Sequence, residues 1–187
     1  MSLEGRSEED VLEEPEFLEK IKQGDPGAVD AMVVRYHPDV YRFLRHLSRH
    51  PQEAEDLAQA TFLRAIARVE TYAGKAPLRS WLLGIAYREF TRWRRRRLWL
   101  PLLGDRLSPG DPYSDLAEAE ALLSALSRLP ESLRATFLLH HVEELSIAEI
   151  AVSLDIPEGT VKSRLHTARA RLRALLREEE NYVPEAC

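Results

Sequence analysis

Apolar residues recur at spacings of three and four along most of the chain, a pattern that predicts amphipathic helices. Between residues 145 and 173 the pattern runs twice, with a break at 155–157. Ser146 is followed three residues later by Glu149, the spacing of a capping box, which predicts that a helix begins there. Pro157 suits the first turn of a second helix, where its missing N–H costs nothing. The stretch is therefore predicted to be a helix-turn-helix.

Polar and basic side chains lie beside the apolar stripe of this second helix. A helix-turn-helix places its second helix in the major groove of DNA, so these side chains are candidate DNA contacts. An amphipathic helix pair with a solvated basic face is the alternative. The candidates, called the recognition set below, are Thr160, Lys162, Ser163, Arg164, His166, Thr167, Arg169 and Arg171.

The first half of the chain shows the same helical periodicity. Three long helices are predicted, over 28–47, 51–69 and 78–98, and Pro38 is expected to kink or split the first of them. Residues 100–115 contain three prolines and two glycines, which predicts a linker. Helices are expected to resume after it.

The predicted fold is all-α, with two small helical domains joined by a flexible linker. The predicted divisions are a disordered acidic N-terminus at 1–14, a first domain at 15–99, the linker at 100–115, a second domain at 116–178 and a tail at 179–187.

The composition is that of a globular protein, with 44% hydrophobic and 30% charged residues in a chain of 187. Its single cysteine, Cys187, allows no internal disulfide, which fits a reducing cytoplasm. No apolar run is long enough to span a bilayer, and the acidic N-terminus does not resemble a signal peptide. We therefore expect a cytoplasmic protein without membrane insertion.

The formal net charge of −5 is unusual for a nucleic-acid-binding protein, but the charges are unevenly distributed. Residues 1–20 contain eight acidic side chains, whereas 88–97 contain six arginines and one acid. Residues 157–177 contain six lysines or arginines and one acid. Local basic faces are what bind DNA phosphates. The acidic balance predicts that the chain alone binds DNA weakly and needs a carrier.

A second candidate DNA surface combines aromatic and basic side chains between residues 72 and 97. Arginines neutralise phosphates, and aromatic rings stack on unpaired bases, so the combination favours opened or single-stranded DNA. Trp81 and Phe90 also fit a place in the core, because large aromatic side chains are usually mostly buried. The candidates, called the basic–aromatic set below, are Tyr72, Trp81, Tyr87, Arg88, Arg92, Trp93, Arg95 and Arg96.

The chain offers no pattern for catalysis or metal binding. It contains no H-E-x-x-H motif, and Cys187 alone cannot build a zinc site. His46 and His50 are four residues apart on one helix face but lack an evident third ligand. The sequence therefore predicts no catalytic residues, no metal and no cofactor.

Four motifs together resemble bacterial RNA polymerase sigma factors of the extracytoplasmic-function group, which keep only regions 2 and 4. They are AEDLAQATFLRA at 54–65, RSWLLGIA at 79–86 followed by the arginine run, LxxLPESLR from Leu126, and LSIAEIA with GTVKSRL from Leu145. The resemblance covers about residues 15–178.

The resemblance implies a division of roles along the chain. The helix at 54–65 would dock on the clamp helices of the polymerase β′ subunit through Asp56, Gln59, Phe62 and Arg64, called the docking set below. The segment 72–97 would read and melt the −10 promoter element. The recognition set would read the −35 element, and its domain would meet the β-flap. The linker would lead toward the polymerase active site, and an anti-sigma factor would hold the protein inactive.

Three positions depart from what is common in the family. Arg88 stands where Asn is frequent and Arg92 where Asp is frequent, which makes the melting helix more basic. Thr167 replaces a frequent arginine of the recognition helix, so a −35 contact is expected to be missing.

Three other classes of protein share part of this pattern or could be considered for it. A LuxR-type transcription factor shares the helix-turn-helix, but a response regulator would bring a βα receiver domain and residues 15–98 show no strand pattern. An enzyme lacks a supporting constellation. A protein that binds polymerase without reading DNA would not need the basic stretches 94–97 and 162–173.

Overall fold

The structure is a computed structural model that describes residues 14–98 and 117–180. The predicted linker at 100–115, the tail beyond residue 180 and the predicted disordered segment at 1–14, apart from Glu14, lie outside the described residues. The domain boundaries at these places stay predictions.

The described residues form helices and contain no strand, which confirms the predicted all-α fold of two domains. The helices are α1 (Glu14–Lys22), α2 (Pro26–Ser48), α3 (Pro51–Ile66), a 3₁₀ turn (Val69–Thr71), α4 (Leu78–Leu98), α5 (Ala117–Arg128), α6 (Glu131–His141), α7 (Ile147–Leu154) and α8 (Glu158–Glu180).

Helix α2 begins at a well-formed cap and runs through its internal proline. Asp25 accepts a hydrogen bond from the backbone N–H of Ala28 at 2.7 Å, and Pro26 occupies the first helical position. The predicted split at Pro38 does not occur. An internal proline costs a helix about 3 kcal/mol. Tyr36 and Val40, on either side of Pro38, are buried in the core, and their packing stabilises the helix on both sides of the proline.

The core of the first domain lies between α2, α3 and α4. Phe43, Leu44, Leu82 and Phe90 are at most 1% exposed. Burying one such side chain stabilises the fold by about 1.5–3 kcal/mol. The buried position of Phe90 confirms the prediction that this ring could belong to the core.

The second domain packs α5, α6 and α7 around the apolar stripe of α8. Leu138, Leu139, Ile150 and Val161 are buried together at its centre. The predicted stripe on α8 is confirmed, since Val161, Leu165, Ala168 and Leu172 are all buried.

The two domains contact each other in this structure. Helix α4 of the first domain packs along α7 of the second, and α2 contacts α6. The outward side of α4 is therefore covered by the helix-turn-helix, a contact that the sequence did not predict.

Candidate DNA and polymerase interfaces

The predicted helix-turn-helix is present with its capping box complete. Ser146 accepts a hydrogen bond from the backbone N–H of Glu149, whose carboxylate accepts one from the backbone N–H of Ser146. Asp155 ends α7 in the left-handed conformation, with φ of 55°. The chain then turns directly into α8, which becomes the recognition helix.

The recognition set lies on the side of α8 that its own domain core leaves open. Lys162, Ser163, His166, Arg169 and Arg171 are exposed, and Thr160, Arg164 and Thr167 are half-buried. The hydroxyl groups bond within the helix, from Ser163 to the Thr160 carbonyl and from Thr167 to the Ser163 carbonyl, both at 2.9 Å. The long basic side chains of this set are thus its most available donors.

Arg169 is tied to a histidine of the neighbouring helix. Its Nε donates a hydrogen bond to Nε2 of His141 at 3.3 Å. Burial lowers the pKa of His141, and the positive charges of His140 and Arg169 lower it further. A neutral His141 ring can accept this bond, so the pair orients Arg169 across the surface of α8.

Glu89 links a residue of the docking set with one of the basic–aromatic set. Its carboxylate, about 9% exposed as a residue, accepts hydrogen bonds from Arg64 at 3.2 Å and from Arg92 at 2.5 Å. Arg64 lies on α3 and Arg92 one turn after Glu89 on α4. One carboxylate therefore restrains two of the predicted functional arginines.

The aromatic residues around α4 are half-buried and packed in pairs. Tyr72 and Trp81 have ring centroids 5.3 Å apart, and the Tyr72 hydroxyl donates to the Ala76 carbonyl at 2.6 Å. Trp93 packs on the buried ring of Phe90, with ring centroids 5.7 Å apart, and the Arg97 guanidinium lies 5.3 Å from the centroid of the Trp93 ring. These rings have fixed orientations, which suits a surface on which bases would stack.

Several arginines of α4 point at the second domain. Arg88 donates to the Ser153 carbonyl at 3.1 Å, and Arg94 donates to the Glu131 carboxylate at 3.0 Å. Burial lowers the pKa of Arg88, to which Arg68 also contributes. By contrast, Arg95 and Arg96 are exposed.

Tyr87 lies where the two predicted DNA surfaces meet. Burial and the negative charge of Glu131 raise the pKa of its hydroxyl, while the positive charges of Arg164, Arg94 and Arg95 lower it. Arg164 belongs to the recognition helix and Arg95 to α4. The structure therefore brings the two sets into one neighbourhood.

The docking set divides between the surface and the core of the first domain. Asp56, Gln59 and Arg64 are exposed on α3, and Gln52 donates to Asp56 at 3.3 Å. Phe62 is only 5% exposed and stacks on His37, with ring centroids 6.1 Å apart. The direct docking contact predicted for Phe62 does not match this place in the core, because its position falls on the apolar side of α3.

Leu63 is an exposed residue that the sequence analysis missed. It is 70% exposed and lies four residues after Gln59 and seven after Asp56, on the same side of α3. The signal was available, because Leu63 falls outside the apolar spacing of the helix. A large exposed apolar side chain among polar ones is typical of an interface.

A cluster of charged residues between the domains was also missed. The Glu143 carboxylate is fully buried and accepts hydrogen bonds from Arg42 at 2.7 Å and from Arg79 at 2.5 Å. Asp39 accepts hydrogen bonds from both arginines. Its burial acts to raise its pKa, but the two arginines outweigh that effect and hold the pKa below its usual range. Arg42 and Glu143 are 101 residues apart in the chain, so no local sequence pattern predicts their contact.

Arg134 is a buried cation without an acidic hydrogen-bond partner at its Nε. The residue is 7% exposed, and its Nε finds no partner among the described residues. Burial lowers its pKa to about 10, and the charge of Arg94 acts in the same direction. Its guanidinium adds to a local excess of positive charge.

Among the residues that the structure describes, no helix is both long and apolar enough to cross a membrane.

Two family models match the two halves of the chain. The sequence model of sigma-70 region 2 matches residues 32–100, and that of sigma-70 region 4 matches residues 119–172. The chain is 34% identical over 163 residues to the ECF RNA polymerase sigma factor SigM of Mycobacterium tuberculosis, covering 86% of this chain and 83% of the relative. It is 28% identical over 178 residues to ECF RNA polymerase sigma factor SigW of Bacillus subtilis, covering 86% of this chain and 95% of the relative.

A solved structure has a similar fold. It is the sigma factor RpoE in complex with the anti-sigma factor NepR from Bartonella quintana, with a TM-score of 0.69 and 25% identity. The match covers 79% of this chain and 96% of the other. The region 2 match falls on the half of the chain where a response regulator would carry its receiver domain, so the LuxR-type alternative is set aside.

Proposed function

The chain belongs to the ECF family of RNA polymerase sigma factors, and from this premise we propose which of its surfaces meet polymerase and which meet promoter DNA. A sigma factor of this family directs transcription initiation at particular promoters as a subunit of RNA polymerase. The observation that carries the assignment is that each of the two matched regions bears a basic surface, on α4 and on α8, although the chain as a whole is acidic.

The polymerase-docking surface is assigned to the outer side of α3. Asp56, Gln59 and Arg64 supply polar contacts for the β′ clamp helices, and Leu63 supplies the apolar centre that such an interface needs. Phe62 is buried beneath this surface, and its packing positions the exposed residues of α3. The second domain is assigned to the β-flap.

The basic–aromatic set is assigned to the −10 element. The exposed Arg95 and Arg96 attract the phosphates, and Trp81 and Trp93 offer half-buried rings to unpaired bases. Stacking of one base on an aromatic ring contributes about 1–3 kcal/mol. These terms together favour a melted strand over a duplex.

The recognition set is assigned to the −35 element. Its exposed basic side chains line the open side of α8, the helix that a helix-turn-helix inserts into the major groove. Arg164 is the candidate for direct reading of guanine, because an arginine can form two hydrogen bonds to that base.

The remaining parts of the assignment follow from family membership. The relative of known structure is bound to an anti-sigma factor, and we assign an inhibitor of that class to this chain. Catalysis of RNA synthesis belongs to the core enzyme, so the chain acts as an initiation factor and not as a catalyst. We assign the protein to the cytoplasm, where core polymerase acts on the chromosome.

Reconstituted transcription tests the proposal. Core polymerase with the full chain is expected to initiate from a small set of promoters in a genomic template library, and either component alone is not. The absence of any core-dependent, promoter-specific transcript would contradict the assignment.

A substitution of Leu63 tests the docking surface separately. Leu63→Ala is expected to weaken binding to core polymerase roughly tenfold, about 1.4 kcal/mol, because the variant removes an apolar contact at the interface. Val34→Ala is the matched control, since Val34 is 77% exposed but lies on α2 outside the docking set. Equal affinities for Leu63→Ala and the unaltered chain would move the docking surface elsewhere.

A further inference from the structure

Arg169, a member of the recognition set, is bonded to a side chain of another helix. It follows Lys162 and His166 at spacings of four and three, so all three lie on the exposed face of α8. Its Nε donates a hydrogen bond to Nε2 of His141 at 3.3 Å, and its Nη2 lies 3.2 Å from the same atom. His141 is the last residue of α6 and belongs to none of the predicted sets.

The His141 ring is packed against two neighbouring rings of its own helix. Its centroid lies 4.4 Å from that of Phe137 and 4.7 Å from that of His140. His140 is itself held, because its Nδ1 donates to the Leu145 carbonyl at 3.0 Å. His141 is nevertheless exposed, so a ring with a defined position can exchange protons with solvent.

The contact with Arg169 requires a neutral His141 ring. Arginine has only donors, so Nε2 of His141 must be the acceptor and cannot carry a proton. Protonation would remove that acceptor and bring two cations into direct contact. Burial lowers the pKa of His141, and His140 and Arg169 lower it further, so the free chain favours the neutral ring.

Among the described residues, the groups whose charge shifts the pKa of His141 are both positive. They are His140 on its own helix and Arg169 on α8. Other charged groups that neighbouring elements bring to α6 and the turn after it do not shift this pKa; they are Arg42 of α2, Arg79 and Arg94 of α4, Glu149 of α7, and Glu143 and Glu144 of the turn. An anion bound by Arg169 would therefore change the charge balance around His141.

A DNA phosphate on the exposed face of α8 is such an anion. When Arg169 neutralises the phosphate, its repulsion of a protonated His141 decreases, and the phosphate itself favours the protonated ring. The pKa of His141 is then higher in the complex than in the free chain. A group whose pKa rises on binding takes up a proton, and the affinity for DNA therefore increases as the pH falls.

From these contacts we propose that His141 is a positioning residue for −35 recognition, which holds Arg169 across α8 while neutral and releases it to DNA on protonation. Promoter binding and proton uptake are then linked, and the −35 element is bound more tightly at slightly acid pH. Each unit by which the pKa rises on binding increases the affinity by at most about tenfold. The proposal rests on the proposed function, because it takes α8 as the −35-reading helix.

The contact is tested first in the free full chain, by nuclear magnetic resonance of the histidine rings. The His141 signal is identified by its absence in His141→Gln, and its titration midpoint should lie below the ordinary value of about 6.5. Arg169→Gln should raise the midpoint, because it removes one of the two positive groups. Lys162→Gln, two turns away on the same face, should leave it unchanged. Equal midpoints in Arg169→Gln and the unaltered chain would overturn the proposal.

The link to DNA is tested by holoenzyme binding to a duplex promoter fragment that reconstituted transcription has identified. Between about pH 8 and about pH 6, the unaltered chain should gain roughly three- to tenfold more affinity than His141→Gln gains. The glutamine oxygen can accept a hydrogen bond from Arg169 but never becomes charged, so this variant imitates the neutral ring. The same pH dependence in both proteins would overturn the proposal.

His141→Lys imitates the protonated ring, because lysine is charged throughout this range and accepts no hydrogen bond. At about pH 8 it should bind the fragment more tightly than the unaltered chain does. Its slope of log affinity against log salt should be steeper by up to about 0.9, the value for one duplex phosphate contact. Affinity no greater than that of the unaltered chain would contradict the proposal.

His46→Gln is the matched control, because it removes a half-buried histidine of the first domain and should keep the full pH dependence. Circular dichroism at each pH verifies that all variants keep their helices. The two proposals fail in different ways. Promoter-specific binding with the same pH dependence in every variant would leave the sigma-factor assignment intact and remove the role of His141. The absence of promoter-specific binding at every pH would remove the assignment itself.

Discussion

Arg92 donates a hydrogen bond to the carboxylate of Glu89, 2.5 Å away and one helical turn earlier on α4. Arg92 is one of the three positions at which the resemblance predicts a departure from the family pattern. The extra positive charge is therefore partly neutralised within its own helix, and Glu89 shares its carboxylate with Arg64 as well. The basic character of this end of α4 is weaker at Arg92 than the count of arginines suggests.

This pairing predicts unequal effects of two arginine substitutions on binding to the −10 strand. Arg96→Ala, at an exposed position, should reduce the slope of log affinity against log salt by about 0.7, the value for one phosphate contact with a single strand. Arg92→Ala should reduce it by less, because Arg92 must leave Glu89 to reach a phosphate. The measurement is a salt titration of holoenzyme binding to an opened promoter fragment. A larger effect for Arg92→Ala would mean that the Glu89 pair is broken in the complex.

A second prediction concerns the buried cation at Arg134. Its Nε is unpartnered, and burial lowers its pKa to about 10. A buried donor that lacks its hydrogen-bond partner costs the fold about 1–3 kcal/mol, and an apolar side chain of similar length avoids that cost. Arg134→Met should accordingly raise the free energy of unfolding measured in urea.

Arg96→Met is the control for this change, because an exposed substitution should stay within about 0.5 kcal/mol of the unaltered chain. A lower stability of Arg134→Met would show instead that the guanidinium of Arg134 makes contacts that the fold requires.

The local parts of this structure could be predicted from the sequence because their causes are local. The capping box at Ser146, the helix over 78–98 and the buried stripe from Val161 to Leu172 each follow from spacings within a few turns. Phe62 was assigned to an interface through the family resemblance, although its place on the apolar side of α3 was already visible in the spacing.

The contact between the domains could not be predicted in the same way. Glu143 bonds to arginines 64 and 101 residues away in the chain, and no periodicity connects such positions. No sequence pattern marks Gly84 within the predicted helix over 78–98. Only the structure shows that a Cβ on Gly84 would lie 2.4 Å from the Ser153 carbonyl oxygen, where α4 and α7 touch.

The histidine beside the recognition helix predicts a pH-dependent stability. The folded chain holds the pKa of His141 below the ordinary value of about 6.5, mainly through burial, so the folded state disfavours the protonated ring. The stability of the fold is therefore greatest above the pKa that His141 has in the unfolded chain. It is lost as the pH falls from there through the lower pKa of the folded chain. Lowering the pH from 7.5 to 5 should therefore reduce the melting temperature.

His141→Gln should reduce this pH dependence, by less than about 3 °C in melting temperature, because burial shields only part of this mostly exposed residue and solvent screens the rest. Asp39 does not interfere in this window, since its lowered pKa moves its loss of stability to more acidic conditions. His166→Gln, an exposed histidine on α8, serves as the control. The same pH dependence in His141→Gln as in the unaltered chain would exclude His141 as its source.

The last prediction separates base reading from phosphate binding at Arg164. If this half-buried arginine forms two hydrogen bonds to a guanine, Arg164→Ala should reduce discrimination at one position of the −35 element by about 1–3 kcal/mol. Arg164→Lys keeps the charge but loses the planar fork, so it should fail to restore discrimination while preserving the salt dependence. The measurement is holoenzyme competition between −35 variants at two salt concentrations. Uniform weakening on every promoter in Arg164→Ala, with recovery in Arg164→Lys, would assign Arg164 to the phosphate backbone. The sequence preference of α8 would then have to come from other members of the recognition set.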